Sequence, residues 1–304
     1  MIADLIMPAG HVLTPDDIVR EVKHLPSAPK VLPRLKQLLC DGNSAMHEIV
    51  GLIRLDPGIA ARVLRVANSA YFSKGVRCFT VDEAVNRVGY DQIYELVAYA
   101  VASQVLVRPL EVYGIEADDL WKMSVAGALS AEVLADRTGQ DRNVAYTVGL
   151  LHCVGMVAID EWALLATRSL VLHMGSFPRE ASEGERAALG FTQADAGGAL
   201  LRHWGFPASI VEPVRWQYAP RASASQVRMA TLLHAAKWIR NAVCGKRPPL
   251  PEAMQLQPLG LAPSALNALA EDVAGRLADV SRLLDRAAKD VPERQRFPAQ
   301  NWVR

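Results

Sequence analysis

Charge bias is the first thing this sequence lacks. Its 33 Lys and Arg stand against 32 Asp and Glu, for a net charge of +1. So even a balance gives no general pull toward nucleic acid or an acidic membrane, and no Lys/Arg run supplies a local one. Cysteine is scarce. Cys40, Cys78, Cys153 and Cys244 form no CxxC pair and no zinc-module spacing, which sets aside a disulfide framework and a zinc finger. The N-terminus, "MIADLIMPAGHVLTPDD", has no basic n-region, and its apolar run is too short for a signal peptide. The most apolar long segment, "IYELVAYAVASQVLV" at 93–107, carries Glu95, Ser103 and Gln104 and stops at Arg108-Pro109. It falls short of the roughly 18 apolar residues a membrane span requires and reads as a buried helix. These absences lead to the expectation of a soluble, cytoplasmic protein with neither a nucleic-acid nor a membrane partner.

Strand patterns are missing as well. No stretch alternates apolar and polar residues with the Val, Ile and Thr enrichment of a half-buried strand, and no fixed-period repeat or low-complexity tract occurs. What remains is helical punctuation. Ser27 precedes "APKVLPRLKQLL", and Ser44 can cap the helix carrying Ile49, Val50 and Ile53. Asp56-Pro57 reads as N-cap plus first-turn proline, and Thr80 to Glu83 has capping-box spacing. Asp118-Asp119 open a long helix that Gly139 ends, and Asp141 opens another through His152. A helix is expected from Glu161 to His173. Ser182 to Glu185 repeats the capping-box spacing, and Thr192 and Pro207 begin two short helices. The fold class is therefore all-α.

Residues 244–264, rich in Pro and Gly, read as a connector to a last helix from Ala265 to about Ala288. There Leu266, Leu269, Val273, Leu277, Val280 and Leu284 form one apolar stripe, with Glu271, Asp272, Arg276, Asp279, Arg282 and Asp290 mainly off it. Such a stripe must be covered by the chain's own core or by a second subunit, and the first cover is favoured.

One histidine stands inside an apolar run, in "GLLHCVGMVAID" at 149–160. His152 and Cys153 are adjacent, so on a helix they point about 100° apart and make a poor nucleophile pair. A metal needs several converging ligands. His11, His24, His47, His173, His203 and His234 offer none at i, i+4 spacing, while convergence in space stays open.

"GLLHCVG" resembles the signature of the HD superfamily, metal-dependent phosphohydrolases whose adjacent His and Asp bind the metal. "ANSAYF" (67–72), "LPSAPKVLPRLKQLL", "LIRLDPGIAARVLRVANS" and residues 189–220 resemble one branch of it, the HDOD (HD-related output) domain. The resemblance covers roughly residues 20–220 in the family's order, leaving 1–19 as an N-terminal segment and 221–304 as a C-terminal helical extension. It implies a multi-helix HD-like bundle with that helical segment added, and Asn68, Ser69, Tyr71, Phe72 and Trp204 fall in its signature stretches. Asn68 and Ser69 can equally be helix-end and turn residues, with Tyr71 and Phe72 packing inward. Carried over place by place, the metal ligands are largely replaced: Met123 stands for the first histidine, Cys153 for the aspartate, and Gln193, Gln217 and Tyr218 for later histidines. Met156 replaces a signature lysine.

The resemblance thus implies a vestigial cleft around Met123, His152, Cys153, Gln193, Gln217 and Tyr218, with no catalytic metal or cofactor. It also implies a non-catalytic signalling module that binds another signalling protein, with room for a small nucleotide in the cleft. The rival reading is a metal-dependent phosphohydrolase or phosphodiesterase with atypical ligands that include His152.

Overall fold

Asp56 shows how the punctuation works. Its carboxylate accepts from the Ile59 amide at 2.9 Å, and Pro57 starts the helix where no intrahelical donor is needed. The computed structural model describes residues 13–22, 31, 38, 45–73, 75–89, 92–93, 109–165, 170–172, 178–246 and 248–289. Apart from the buried Ile93, the apolar segment 93–107 lies outside the described residues, as do most of the segment after Ser27 and Ser44.

The first helices are α1 (Pro15–Glu21), α2 (Met46–Arg54), α3 (Pro57–Ala67), the single turn α4 (Ala70–Ser73) and α5 (Val81–Val88). The centre is built from α6 (Ala117–Thr138), α7 (Arg142–Leu151) and α8 (Val154–Leu165). Then come α9 (Pro178–Leu189), α10 (Gln193–His203), α11 (Ala208–Arg215), α12 (Val227–Val243), the short α13 (Ala253–Leu256) and α14 (Ala265–Lys289). Among the described residues there is no strand, only a lone antiparallel bridge between Leu110 and Ile115. The all-α class holds.

Three local expectations change. The helix expected over 161–173 is instead the end of α8, which stops at Leu165, and Leu170–Leu172 are not helical. Ser182 and Glu185 lie inside α9, which starts earlier at Pro178, so no capping box forms there. The buried Glu185 carboxylate is used elsewhere. The connector holds α13 and a 3₁₀ turn, Gln257–Leu259, whose Leu256 and Leu259 are buried.

α6 packs along α7, and α12 packs against both. α8 and α10 pack together, and α11 reaches α7, α10 and α12. The span Arg142–Leu165 has the length and hydropathy of a membrane crossing, yet 83% of its apolar window is buried inside the bundle. It is the core, broken by a turn at His152-Cys153.

α14 lies on α6 and α12. Leu266, Leu269, Val273 and Leu277 of its stripe are buried, each contributing about 1.5–3 kcal/mol of apolar transfer. The cover is the chain's own core. Glu132 of α6 fixes the register by taking Arg54 of α2 at 3.7 Å, Arg142 of α7 at 3.4 Å and Arg276 of α14 at 3.8 Å.

Candidate functional site

The turn between α7 and α8 sets His152 at the end of one core helix, with none of its surface exposed. Room for the ring comes from α6: a Cβ on Gly127 would lie 2.6 Å from His152 Cε1. The imidazole Nδ1 lies 2.6 Å from the Gly149 carbonyl. A carbonyl only accepts, so Nδ1 carries the proton and Nε2 presents its lone pair. That lone pair is taken: Arg240 Nη1 lies 2.6 Å from Nε2, and Cys153 Sγ lies 3.0 Å from it. Burial, with Arg240 and Lys237 close by, holds the histidine pKa well below its usual value. The ring is neutral.

Arg240 and Lys237 both come from α12 and are three residues apart, so they share a face. Arg240 uses Nε and Nη2 on Asn241 Oδ1, at 3.1 and 2.6 Å. Lys237 is 2% exposed and lies 3.6 Å above the Tyr218 ring, and among the described residues its Nζ has no hydrogen-bond partner. Burial first, then the Arg240 charge, pushes its pKa well down. Gln193 Nε2 donates to the Tyr218 hydroxyl at 3.1 Å. Gln217 Nε2 donates to the His152 carbonyl at 3.1 Å and to the Val214 carbonyl at 2.9 Å.

One carboxylate closes the cluster. Glu185 accepts from the Tyr113 hydroxyl at 3.1 Å and from the Gln193 amide at 2.8 Å. Burial raises its pKa to about 7 against those two hydrogen bonds.

Of the residues singled out in the sequence, His152, Cys153, Gln193, Gln217 and Tyr218 meet in this centre. Met123 sits one turn before Gly127 on α6, partly buried against the core, and no hydrogen bond joins it to the cluster. Asn68 caps α3 and holds Cys78 through both backbone atoms, donating to its carbonyl at 3.0 Å and accepting from its amide at 2.8 Å. Ser69 is in the following bend, and Phe72 packs partly buried on the core, whereas the Tyr71 side chain lies outside the described set. Trp204 caps α10 under the Arg65 guanidinium, 5.0 Å from its ring centroid. Arg77 ties the two signature regions by donating to the carbonyls of Gly205 and Asn68, at 2.7 and 3.2 Å.

Sequence reasoning missed Lys237, Arg240, Glu185 and Tyr113. The available signal was "LLHAAKWIRNAV" at 232–243, where two cations sit three apart in an apolar helix.

This donor set does not fit a catalytic metal. The His152 lone pair already accepts from a guanidinium, and a metal ion beside that buried positive charge would meet repulsion. Among the described residues no group of three or more His, Cys, Asp or Glu could hold an ion.

An all-helical bundle whose polar centre lies at the turn of a "GLLHCVG" hairpin is an HD-like domain. Residues 25–220, well over half of the chain, match the HDOD domain family, and the chain belongs to that family. Its fold is similar to that of the MmoQ response regulator from Methylococcus capsulatus str. Bath (TM-score 0.63, 21% identity, 81% of this chain and 98% of that one). It is also similar to a virulence factor from Campylobacter jejuni subsp. jejuni (TM-score 0.65, 17% identity, 86% and 96% coverage). An uncharacterized protein of Treponema pallidum (strain Nichols) is 26% identical over 205 residues, which are 66% of this chain and 39% of that protein. This chain thus spans well under half the length of that relative.

Proposed function

We propose that this chain is a non-catalytic regulatory module of the HDOD type, which acts in signal transduction by binding another protein. The observation that carries the reading is the 2.6 Å contact from Arg240 to Nε2 of His152. In an HD-type site a metal would require that same lone pair, and here a tethered cation takes it. The guanidinium supplies positive charge but has no open coordination position, so it cannot lower the pKa of a bound water as a metal does. Lys237 puts a buried amine in the same cluster, over the Tyr218 ring. Cys153, Gln193 and Gln217, at three of the places where the resemblance sets metal ligands, bring no charge to hold a metal.

The rival reading, phosphoester hydrolysis with His152 as a metal ligand, requires α12 to withdraw Arg240. Hydrolysis of bis(p-nitrophenyl) phosphate with added Mn²⁺, Fe²⁺ or Mg²⁺ tests it. The module reading expects turnover by the wild type no higher than by His152→Ala. Metal-dependent turnover that His152→Ala abolishes contradicts it.

A further inference from the structure

Two sets of arginines on this molecule are treated differently. Arg54, Arg142 and Arg276 all reach carboxylates, sharing Glu132. Arg186, Arg202 and Arg215 reach none: among the described residues no Asp or Glu lies within 4 Å of their guanidinium groups. Yet all three line one open groove of about 450 Å³. They come from the last turns of α9, α10 and α11. The helix dipole favours a cation at each of those ends, which accounts for one arginine per helix. It does not account for three unpaired guanidinium groups around a single depression.

The groove has a shaped floor. Gly198 lets α11 come close, since a Cβ there would lie 2.7 Å from Arg215 Cβ. Ala199, one residue on, lines the groove with Phe191. Arg215 is stacked on Trp216 at 5.0 Å and is held in place, while Arg186 and Arg202 are exposed. Asp195 accepts from Thr192, at 3.0 Å to the amide and 2.8 Å to the hydroxyl, and forms no ion pair with the three arginines among the described residues. Asp16 also lines the groove, which leaves the guanidinium groups in excess by one.

We infer that this groove is the docking surface for a carboxylate-rich segment of a protein partner, with guanidinium forks taking its carboxylates and apolar side chains lying on the floor. The inference rests on the protein-binding reading and gives it a place and a chemistry. Guanidinium groups match carboxylates bidentately, which is the pairing these three are free to make. A nucleic acid fits worse. A chain of net charge +1 offers few further contacts for counterion release.

The test is fluorescence anisotropy on the full chain with three labelled probes: a short Glu/Leu peptide, its Gln/Leu counterpart and single-stranded DNA. The Glu/Leu peptide should bind saturably, and more weakly as salt rises. Arg202→Glu or Arg186→Glu should each weaken it about tenfold. Arg137→Glu, an exposed reversal at the end of α6, should leave binding unchanged. Both groove variants change exposed side chains, and matching thermal melts confirm that they fold. The proposal is overturned by absence of saturable binding, by equal binding of the Gln/Leu peptide, by equal loss in Arg137→Glu, or by tighter binding of DNA. None of these outcomes touches the hydrolysis test, so the two readings fail separately.

Discussion

Arg240 donates to Nε2 of His152 across 2.6 Å and 88 positions of sequence. The family match ends at residue 220, so the helix that supplies Arg240 lies outside it. The segment after the matched region therefore completes the polar centre of the domain. Removing either partner strands the other: an imidazole lone pair or a guanidinium N–H, both buried, where an unmet hydrogen bond is costly.

A double-mutant cycle measures that pairing. His152→Ala alone should cost about 1–3 kcal/mol, through a lost hydrogen bond and a small cavity. With Arg240→Met, the coupling between the two sites should be about 0.5–3 kcal/mol in urea unfolding. Strict additivity would mean the contact carries no energy.

Lys237 gives the domain a pH dependence. Its amine has a pKa well below 10.5 in the folded chain, so between the two values the unfolded chain binds the extra proton. Stability then rises with pH across that window. His152, also depressed, acts in the same direction but only below its ordinary value of 6.5. Glu185 acts oppositely, losing stability as pH climbs from 4.5 to about 7. Above pH 7 and below the ordinary 10.5 the Lys237 slope is therefore the one to read. Lys237→Met should abolish it and stabilise the chain at pH 7 by about 1 kcal/mol, because an unpartnered buried amine is removed. An unchanged slope would show the amine to be solvated.

Two glycines should respond in opposite ways to the same change. A Cβ on Gly155 would sit 1.8 Å from the Gln193 carbonyl, where α8 and α10 touch backbone to backbone. Gly155→Ala should cost about 1–3 kcal/mol or more. Gly275 in α14 has open space, and Gly275→Ala should add about 0.5–1 kcal/mol. Thermal melts of the pair separate close packing from helix propensity.

Burial of the α14 stripe makes Val273→Asp a stability variant. An unpaired carboxylate against α6 and α12 should cost about 3 kcal/mol or more. Light scattering should show the same mass for whatever remains folded. A folded protein of reduced mass would make this helix an assembly surface instead.

Much of this was legible. Asp56-Pro57, Thr192 and Asp141 cap helices as their chemistry dictates, because capping is local and needs only a side-chain oxygen near free amides. The same rule failed at Ser182 and Glu185, where tertiary contacts to Tyr113 and Gln193 outcompete a cap. Five of the six cleft candidates converge because they lie at the start of one helix, Gln193, or in turns at helix ends that the fold brings together. The sixth, Met123, is one turn off its place, since Gly127 is the α6 residue that meets the ring. Arg240 and Lys237 carried only one sequence signal, the apolar run around them, and nothing in it named their partners. Their partners are non-local, and a charged residue in a helix reads as exposed unless its neighbours on that face are all apolar.

The measurement that bears most directly on the account is the metal content of the full chain, purified without chelators and dialysed against Mn²⁺, Fe²⁺, Zn²⁺, Ni²⁺ or Mg²⁺ before elemental analysis. With Arg240 on the His152 lone pair, no metal should remain at stoichiometric level, and His152→Ala should not change the result. One tightly held equivalent in the wild type, lost in His152→Ala, would show that His152 is a ligand and that the regulatory reading is wrong.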